Sequence, residues 1–300
     1  MRNLTWSLAA LGAFVTAPAA HALPSFCVGD LAAPKGVVVL LQNQPGEDRM
    51  WKMANRFVEC GWNPDDIFNF QIPVPDPGID DCHIDLANHV KDLIDGVKLA
   101  RGVSKVDVIS YSLQCTVTRS YLSFLAGYDS IRRTVFWGSP NNGSDNIAPN
   151  GVCAFNELRT DGAFIPCLNG DTPGAPGCSN PFSTATPHGI TPSDPPGNGV
   201  LYVNIYSADD LLLSQTQLFL DDTATNIEIH GVPHGAYPDS DLVLRSTMSA
   251  ITGVILDPDG DGTPCGTVPG GPAPGWGAAV LALAPLAAFG WLGRRAKRSA

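Results

Sequence analysis

The chain has 300 residues, of which 44% are hydrophobic and 16% are charged, a composition typical of a globular protein with a sizeable core. Its formal net charge is −11. Without Arg2 and the four basic residues after position 293, 13 of the 18 Lys and Arg residues remain against 29 Asp and Glu, or −16. A protein with this much negative charge repels the phosphate backbone of nucleic acids. The charge therefore disfavours nucleic acid as a partner and favours a neutral substrate.

The N-terminus has the pattern of a secretory signal. Arg2 precedes the apolar run Leu8 to Ala20, and Ala20-His-Ala22 offers a small-residue cleavage site. A buried N-terminal helix is the alternative, but it does not account for a basic residue ahead of an Ala-rich stretch that ends in Ala-x-Ala. We therefore predict a signal peptide over 1–22 and an exported protein, either extracellular or anchored to the cell envelope.

Eight cysteines in an exported chain indicate disulfides rather than metal ligands. The sequence has no Cys-x-x-Cys pair, and no histidine has the spacing of a zinc ligand. Since eight cysteines allow 105 connectivities, the spacing alone assigns none.

Between the ends, apolar runs of strand length alternate with segments of helical periodicity, which predicts a parallel α/β sheet with flanking helices. The predicted strands cover 36–41, 67–72, 106–109, 133–137, 200–206 and 226–230. The predicted helices cover 50–58, 80–99 and 240–251, and a further helix follows the third strand. Together these elements predict one domain over 23–255.

A long insertion interrupts this alternation at 141–199. It is rich in Pro and Gly, shows no sustained periodicity and carries Cys153, Cys167 and Cys178. A stretch this long is usually functional or held by disulfides, so we predict an excursion over the catalytic face; a flexible loop is the alternative. Within it we expect one bridge, either Cys153 with Cys167 or Cys167 with Cys178.

A Pro, Gly and Asp-rich linker is predicted over 256–275. Its acidic side chains alternate as in a Ca²⁺ loop, which makes Asp257, Asp259 and Asp261 a weak Ca²⁺ candidate. The twelfth position of an EF-hand loop would be Val268 instead of Glu, which excludes a full EF-hand. A plain polar linker is the favoured alternative, and no other cofactor is expected.

The residues 276–300 form a predicted transmembrane or sorting tail. An apolar run from Trp276 to Leu292 is followed by the basic cluster Arg294-Arg-Ala-Lys-Arg298. The run is short for a bilayer, whose hydrocarbon core needs about 20 apolar residues, but the cluster fits positive-inside placement. A retained tail makes the membrane a partner of this protein.

The segment Lys105-Val-Asp-Val-Ile-Ser-Tyr-Ser112 carries the candidate nucleophile. A serine hydroxyl reacts only when the fold holds it on a sharp strand-to-helix turn, near a base and near backbone N–H donors. A G-x-S-x-G elbow has Gly two residues to either side of the serine, where this chain has Ser110 and Gln114. Taken alone, the pentapeptide 110–114 favours a surface turn over a nucleophile elbow.

The base and its orienting carboxylate follow later strands, in the chain order Ser, Asp, His that α/β-hydrolases use. Asp210 comes after the strand that ends at 206, and His234 comes after the strand that ends at 230. The rivals are the neighbouring Asp209 and His230. We expect His230 to be a packed histidine within the strand.

These three blocks resemble the small, lidless bacterial triacylglycerol lipases known as class 2 lipases, which have the α/β-hydrolase fold. The elbow segment is similar to the family's K-V-D-I-V-A-H-S, and Ile227-Glu-Ile-His-Gly-Val-Pro-His234 is similar to its I-H-G-V-G-H. The resemblance covers roughly 35–253. It implies that Ser112, Asp210 and His234 are catalytic and that the substrate is a lipid or acyl ester.

The resemblance also implies an oxyanion hole made by the backbone N–H groups of Gln44 and Leu113. The family has His-Gly at the end of the first strand, where this chain has Gln42-Asn43. Because an oxyanion hole uses backbone donors, the change of side chain leaves it possible.

The expected function is a secreted serine ester hydrolase of the lipase or esterase type. One alternative is a polyester (polyhydroxyalkanoate) depolymerase, whose long insertion would grip an insoluble chain. The other is a surface binding protein that keeps the hydrolase fold without catalysis, because Gln114 would fill the elbow.

Overall fold

The computed structural model describes residues 27, 35–42, 49–72, 82–169, 200–220 and 224–253. Within them, six parallel strands form one sheet in the order β2-β1-β3-β4-β5-β6. The strands are β1 Val38–Gln42, β2 Ile67–Gln71, β3 Val106–Tyr111, β4 Ile131–Trp137, β5 Leu201–Ser207 and β6 Thr225–Ile229. The helices are α1 Met50–Glu59, α2 His83–Arg101, α3 Leu113–Phe124, α4 Cys153–Glu157, α5 Phe164–Leu168, α6 Gln215–Leu218 and α7 Asp241–Thr252.

The continuous apolar runs form strands because both faces of the sheet are covered. Every residue of β1 and β3 is buried. On one face, α1 and α7 contribute Met53, Phe57 and Val243 to the core. On the other face, α2 and α3 contribute Val90 and Val117. This confirms the predicted parallel α/β sheet with flanking helices.

The insertion contains two short helices that the sequence did not reveal. Both α4 and α5 have five residues, which is too few to show a helical period. Its first part contacts the segment after β5, since the Asn146 side chain donates to the Leu212 carbonyl at 2.6 Å. The structure describes the insertion as far as residue 169, and 170–199 lie outside the described residues.

Disulfides tie the periphery to this core. Cys27 is bonded to Cys60, and Cys82 is bonded to Cys153. The predicted bridge between Cys153 and Cys167 is therefore wrong: Cys153 begins α4, which is docked at the start of α2. Cys167 is also disulfide-bonded. Cys178 lies outside the described residues, so its pairing with Cys167 stays a prediction.

Several predicted segments lie outside the described residues: the signal peptide over 1–22, the linker with its Ca²⁺ candidate Asp257, Asp259 and Asp261, and the tail over 276–300. Among the helices that the structure describes, none is long and apolar enough to cross a membrane.

We predict that replacing both Cys82 and Cys153 by Ala lowers the free energy of unfolding by about 2–4 kcal/mol, because the bridge constrains a long loop of the unfolded chain. The two cysteines are 71 residues apart in the sequence. Urea unfolding followed by circular dichroism measures the change. Coincident unfolding curves for wild type and variant would contradict it.

Candidate active site

Ser112 occupies a strained turn between β3 and α3. Its backbone has φ 56° and ψ −127°, a combination that a residue with a side chain rarely adopts. Its N–H donates to the Trp137 carbonyl at 3.0 Å, and its own carbonyl accepts from the Cys115 N–H at 2.9 Å. The turn is therefore held from both sides, and the hydroxyl stands at the carboxyl edge of the sheet.

His234 lies between Ser112 and Asp210 and contacts both. Its Nε2 is 2.9 Å from the Ser112 Oγ, and its Nδ1 is 2.7 Å from the Asp210 Oδ2. Since a carboxylate only accepts hydrogen bonds, the proton of the neutral imidazole belongs on Nδ1. That tautomer leaves the lone pair of Nε2 facing the serine hydroxyl, which is the arrangement of a general base and its nucleophile.

The Asp210 side chain is fully buried, and its two oxygens have separate tasks. Oδ1 accepts from the backbone N–H groups of Leu212 and Leu213 at 2.9 and 3.0 Å. Oδ2 faces His234 and also accepts from the Tyr237 hydroxyl at 3.4 Å. These donors fix the carboxylate and stabilise its charge where water does not reach.

Two tyrosines flank His234. The Tyr111 hydroxyl donates to the His234 carbonyl at 2.6 Å, and the ring centres of Tyr111 and Tyr237 lie 5.5 and 5.9 Å from the imidazole. Burial raises the pKa of both phenols above their usual range, so both act as neutral donors. They leave 13% of the His234 side chain exposed.

The two rivals of the predicted site residues are placed elsewhere. The Asp209 carboxylate accepts from the Gly231 N–H at 2.6 Å and braces the turn after β6. His230 was expected to pack within a strand, but β6 ends at Ile229 and His230 is exposed. The structure thus brings Ser112, Asp210 and His234 together and leaves Asp209 and His230 out.

Sequence reasoning missed Gly138, which directly follows β4. It has φ 53°, and a Cβ there would lie 3.1 Å from the Tyr237 ring and 3.3 Å from the His234 Cε1. A side chain at this position would press against both rings and would have to adopt a strained positive φ. The sequence offered one signal for it: this glycine follows β4, and β4 lies between β3, which precedes Ser112, and β5, which precedes Asp210.

Of the two predicted oxyanion donors, the structure describes one. Leu113 is the first residue of α3, a position whose N–H has no acceptor inside the helix. Gln44 lies outside the described residues. The assignment of both donors stays a prediction.

The two elbow positions that usually hold Gly are filled in different ways. The Ser110 hydroxyl is 2.7 Å from the Thr118 hydroxyl, so it is buried and paired. Gln114 is fully buried, and neither atom of its side-chain amide has a hydrogen-bond partner within the described part of the chain. The turn accommodates the larger side chain but leaves its polar atoms unsatisfied.

One group of metal-ligating side chains is close enough together to consider among the described residues: Cys82, Cys153 and Glu157. Its two sulfurs are bonded to each other. A cysteine sulfur ligates a metal as the thiolate, which a disulfide does not offer, so this group is not a metal site in the disulfide-bonded protein.

No protein-family model matches the chain, and no curated protein matches it in sequence. Among solved structures, it is similar to the lipase BlEst2 of Bacillus licheniformis in propeptide form, with a TM-score of 0.53 and 17% identity over 73% of this chain and 50% of that one. It is also similar to lipase B of Aspergillus fumigatus, with a TM-score of 0.51 and 14% identity over 77% of this chain and 55% of that one. The chain thus spans about half the length of each, and the likeness shows the α/β-hydrolase fold.

We predict that Gln114→Met raises the free energy of unfolding by about 1–2 kcal/mol, because it keeps the volume of the side chain and removes an amide that is buried without a partner. Urea unfolding of wild type and variant measures the change. A variant less stable than wild type would show instead that the amide is hydrogen-bonded in the folded protein.

Proposed function

We propose that this chain is a serine carboxylic-ester hydrolase of the lipase or esterase type. The observation that carries the proposal is the unbroken hydrogen-bond chain from Asp210 through His234 to Ser112, with the serine on a strained strand-to-helix turn. A paired hydroxyl, imidazole and buried carboxylate have the roles of a nucleophilic triad where a substrate can reach the hydroxyl, and Ser112 is only half-buried.

In the proposed reaction, the Ser112 Oγ attacks the ester carbonyl while its proton passes to the His234 Nε2. The Asp210 carboxylate holds the imidazole in the required tautomer and stabilises the imidazolium. The N–H groups of Leu113 and Gln44 stabilise the oxyanion. The alcohol leaves with the proton from His234, and water then cleaves the acyl-enzyme by the same steps in reverse.

Two exposed leucines beside the triad support an apolar acyl substrate. Leu211 is 90% exposed and Leu212 is 46% exposed, and both directly follow Asp210. We call these two residues the leucine tip. The Leu212 N–H is bonded to Asp210, so the tip is anchored to the triad itself. An ester in a lipid surface would bury these side chains as it reaches Ser112, and this favours lipid esters over polar ones.

Export is part of the proposal and rests on the sequence pattern of 1–22. The disulfides Cys27–Cys60 and Cys82–Cys153 are consistent with it, since such bonds persist in oxidising compartments. Attachment to a membrane through 276–300 rests on the sequence alone. A lipid-directed enzyme outside the cell would meet its substrate there.

We expect the protein without residues 1–22 and 276–300 to hydrolyse p-nitrophenyl esters and to be labelled stoichiometrically by a fluorophosphonate. Ser112→Ala should abolish both, because the hydroxyl is the nucleophile. Ser110→Ala, which removes a buried hydroxyl two residues away, serves as the control and should keep labelling. Folded protein that is neither active nor labelled would favour the binding-protein alternative, and labelling that survives Ser112→Ala would place the nucleophile elsewhere.

We predict that Leu211→Ser with Leu212→Ser lowers activity on emulsified triolein by at least about tenfold, since burial of one leucine contributes about 1.5–3 kcal/mol. Activity on soluble p-nitrophenyl acetate should stay within about twofold, because the backbone N–H groups that bind Asp210 remain. Leu99→Ser is the matched control: Leu99 is 86% exposed, near the end of α2. Equal losses on both substrates would contradict a surface role for the tip.

A further inference from the structure

A second chain of carboxylate, imidazole and hydroxyl lies behind the active site. The His83 Nδ1 is 2.8 Å from the Glu157 Oε2, and the His83 Nε2 is 2.9 Å from the Thr116 Oγ1. The His83 backbone N–H also donates to Glu157, at 2.7 Å. His83 and Thr116 are fully buried, and the Phe164 ring stacks on the imidazole at 4.4 Å. No substrate reaches this hydroxyl, so the cluster is not a second nucleophile site.

The cluster joins three separate parts of the fold. Glu157 ends α4 in the insertion, His83 begins α2, and Thr116 lies in the first turn of α3. The bond between Cys82 and Cys153 joins the same two parts, with its sulfurs close to the Glu157 carboxylate. The insertion is therefore linked to α3 through the buried His83 imidazole.

Thr116 leads directly to the elbow. Its hydroxyl donates to the Leu113 carbonyl at 2.8 Å. Leu113 is the residue whose N–H is the proposed oxyanion donor, so the hydroxyl binds the peptide next to that donor. The position of the donor decides how well the oxyanion is stabilised, and small displacements at such a site change the rate strongly.

One hydrogen atom decides between two arrangements. Glu157 keeps the His83 proton on Nδ1, which leaves Nε2 as an acceptor that competes with the Leu113 carbonyl for the single Thr116 hydrogen. If the His83 proton were on Nε2, this N–H would donate to the Thr116 oxygen. The Thr116 hydroxyl would then donate its own hydrogen to the Leu113 carbonyl. The charge and position of Glu157 thus select which bond the first turn of α3 makes.

We infer that His83 is a positioning residue that couples the insertion to the oxyanion side of the active site, through Glu157 on one side and Thr116 on the other. This inference rests on the proposed function, because it assigns the coupling to the Leu113 donor. Burial lowers the pKa of His83 against the opposing effect of Glu157, with Arg119 adding to the lowering, which is consistent with a neutral imidazole in the cluster.

The test uses four single variants and one double variant, Thr116→Val with Glu157→Gln, of the signal-free chain, with kcat expressed per fluorophosphonate-labelled site so that misfolded protein does not count. Thr116→Val removes the hydroxyl, and Thr116→Ser retains it. Glu157→Gln removes the charge. Asp161→Asn is its matched control, because Asp161 is a surface carboxylate of the same insertion, paired with Arg159.

Thr116→Val, which removes the hydrogen bond to the Leu113 carbonyl, should lower kcat roughly tenfold with little change in KM, less than the 10²–10³ that loss of an oxyanion donor costs. Glu157→Gln leaves that hydroxyl in place and should change kcat by a smaller factor, about twofold to fivefold. Thr116→Ser and Asp161→Asn should match wild type. Because Glu157 acts on Leu113 only through His83 and Thr116, the double variant should match Thr116→Val alone. Unchanged kcat per site, or losses that multiply in the double variant, would overturn the inference.

A second readout separates this inference from the proposed function. In Glu157→Gln, the ¹⁵N chemical shift of the Leu113 amide should differ from that of wild type. In the Thr116→Val background, adding Glu157→Gln should not change this chemical shift. If wild type neither hydrolyses esters nor reacts with the fluorophosphonate, the proposed function fails. The coupling between Glu157 and Leu113 is then tested by this chemical shift alone. A Leu113 amide chemical shift that is the same in wild type and Glu157→Gln would refute the coupling in either case.

Discussion

The backbone strain at Ser112 is the constraint on which the rest of the structure depends. A residue outside the favoured wells costs on the order of 1–3 kcal/mol, and it persists only where its surroundings determine it fully. Here β3 lies between β1 and β4 in the middle of the sheet, and every residue of α3 is buried. The Trp137 carbonyl holds the Ser112 N–H from the neighbouring strand. The strained turn leaves Ser112 half-buried on an otherwise buried segment.

Two hydrogen-bonded series of carboxylate, imidazole and hydroxyl end at α3 and the turn before it. They differ in whether the hydroxyl is buried. Asp210, His234 and Ser112 end at a hydroxyl that a substrate can reach, so the imidazole can exchange its proton with a reacting group. Glu157, His83 and Thr116 end at a sealed hydroxyl, so the same bonds can only orient backbone. Geometry alone does not distinguish a catalytic triad from a structural one; access to the hydroxyl does.

The sequence predicted those parts of the fold that a local pattern encodes. Apolar runs predicted all six strands, and the ends of β3, β5 and β6 predicted which residues meet, because parallel strands end at one edge of the sheet. The insertion escaped prediction because α4 and α5 are too short for periodicity. The partner of Cys153 escaped because spacing does not encode a contact with Cys82, 71 residues away. Glu157 and His83 are 74 residues apart, so their bond had no local signal either.

β4 is followed by a glycine, Gly138, and not by a triad residue, and this glycine leaves space for the site. β4 lies between β3, which leads to Ser112, and β5, which leads to Asp210, so whatever follows it faces the His234 imidazole. That residue is Gly138, and a Cβ there would come within 3.3 Å of the imidazole and 3.1 Å of Tyr237. Contacts this short require the Tyr237 ring or the His234 imidazole to shift by a few tenths of an ångström, and the position of His234 sets both triad distances. The glycine therefore serves the site through the space it leaves, and a motif search built on reactive side chains passes over it.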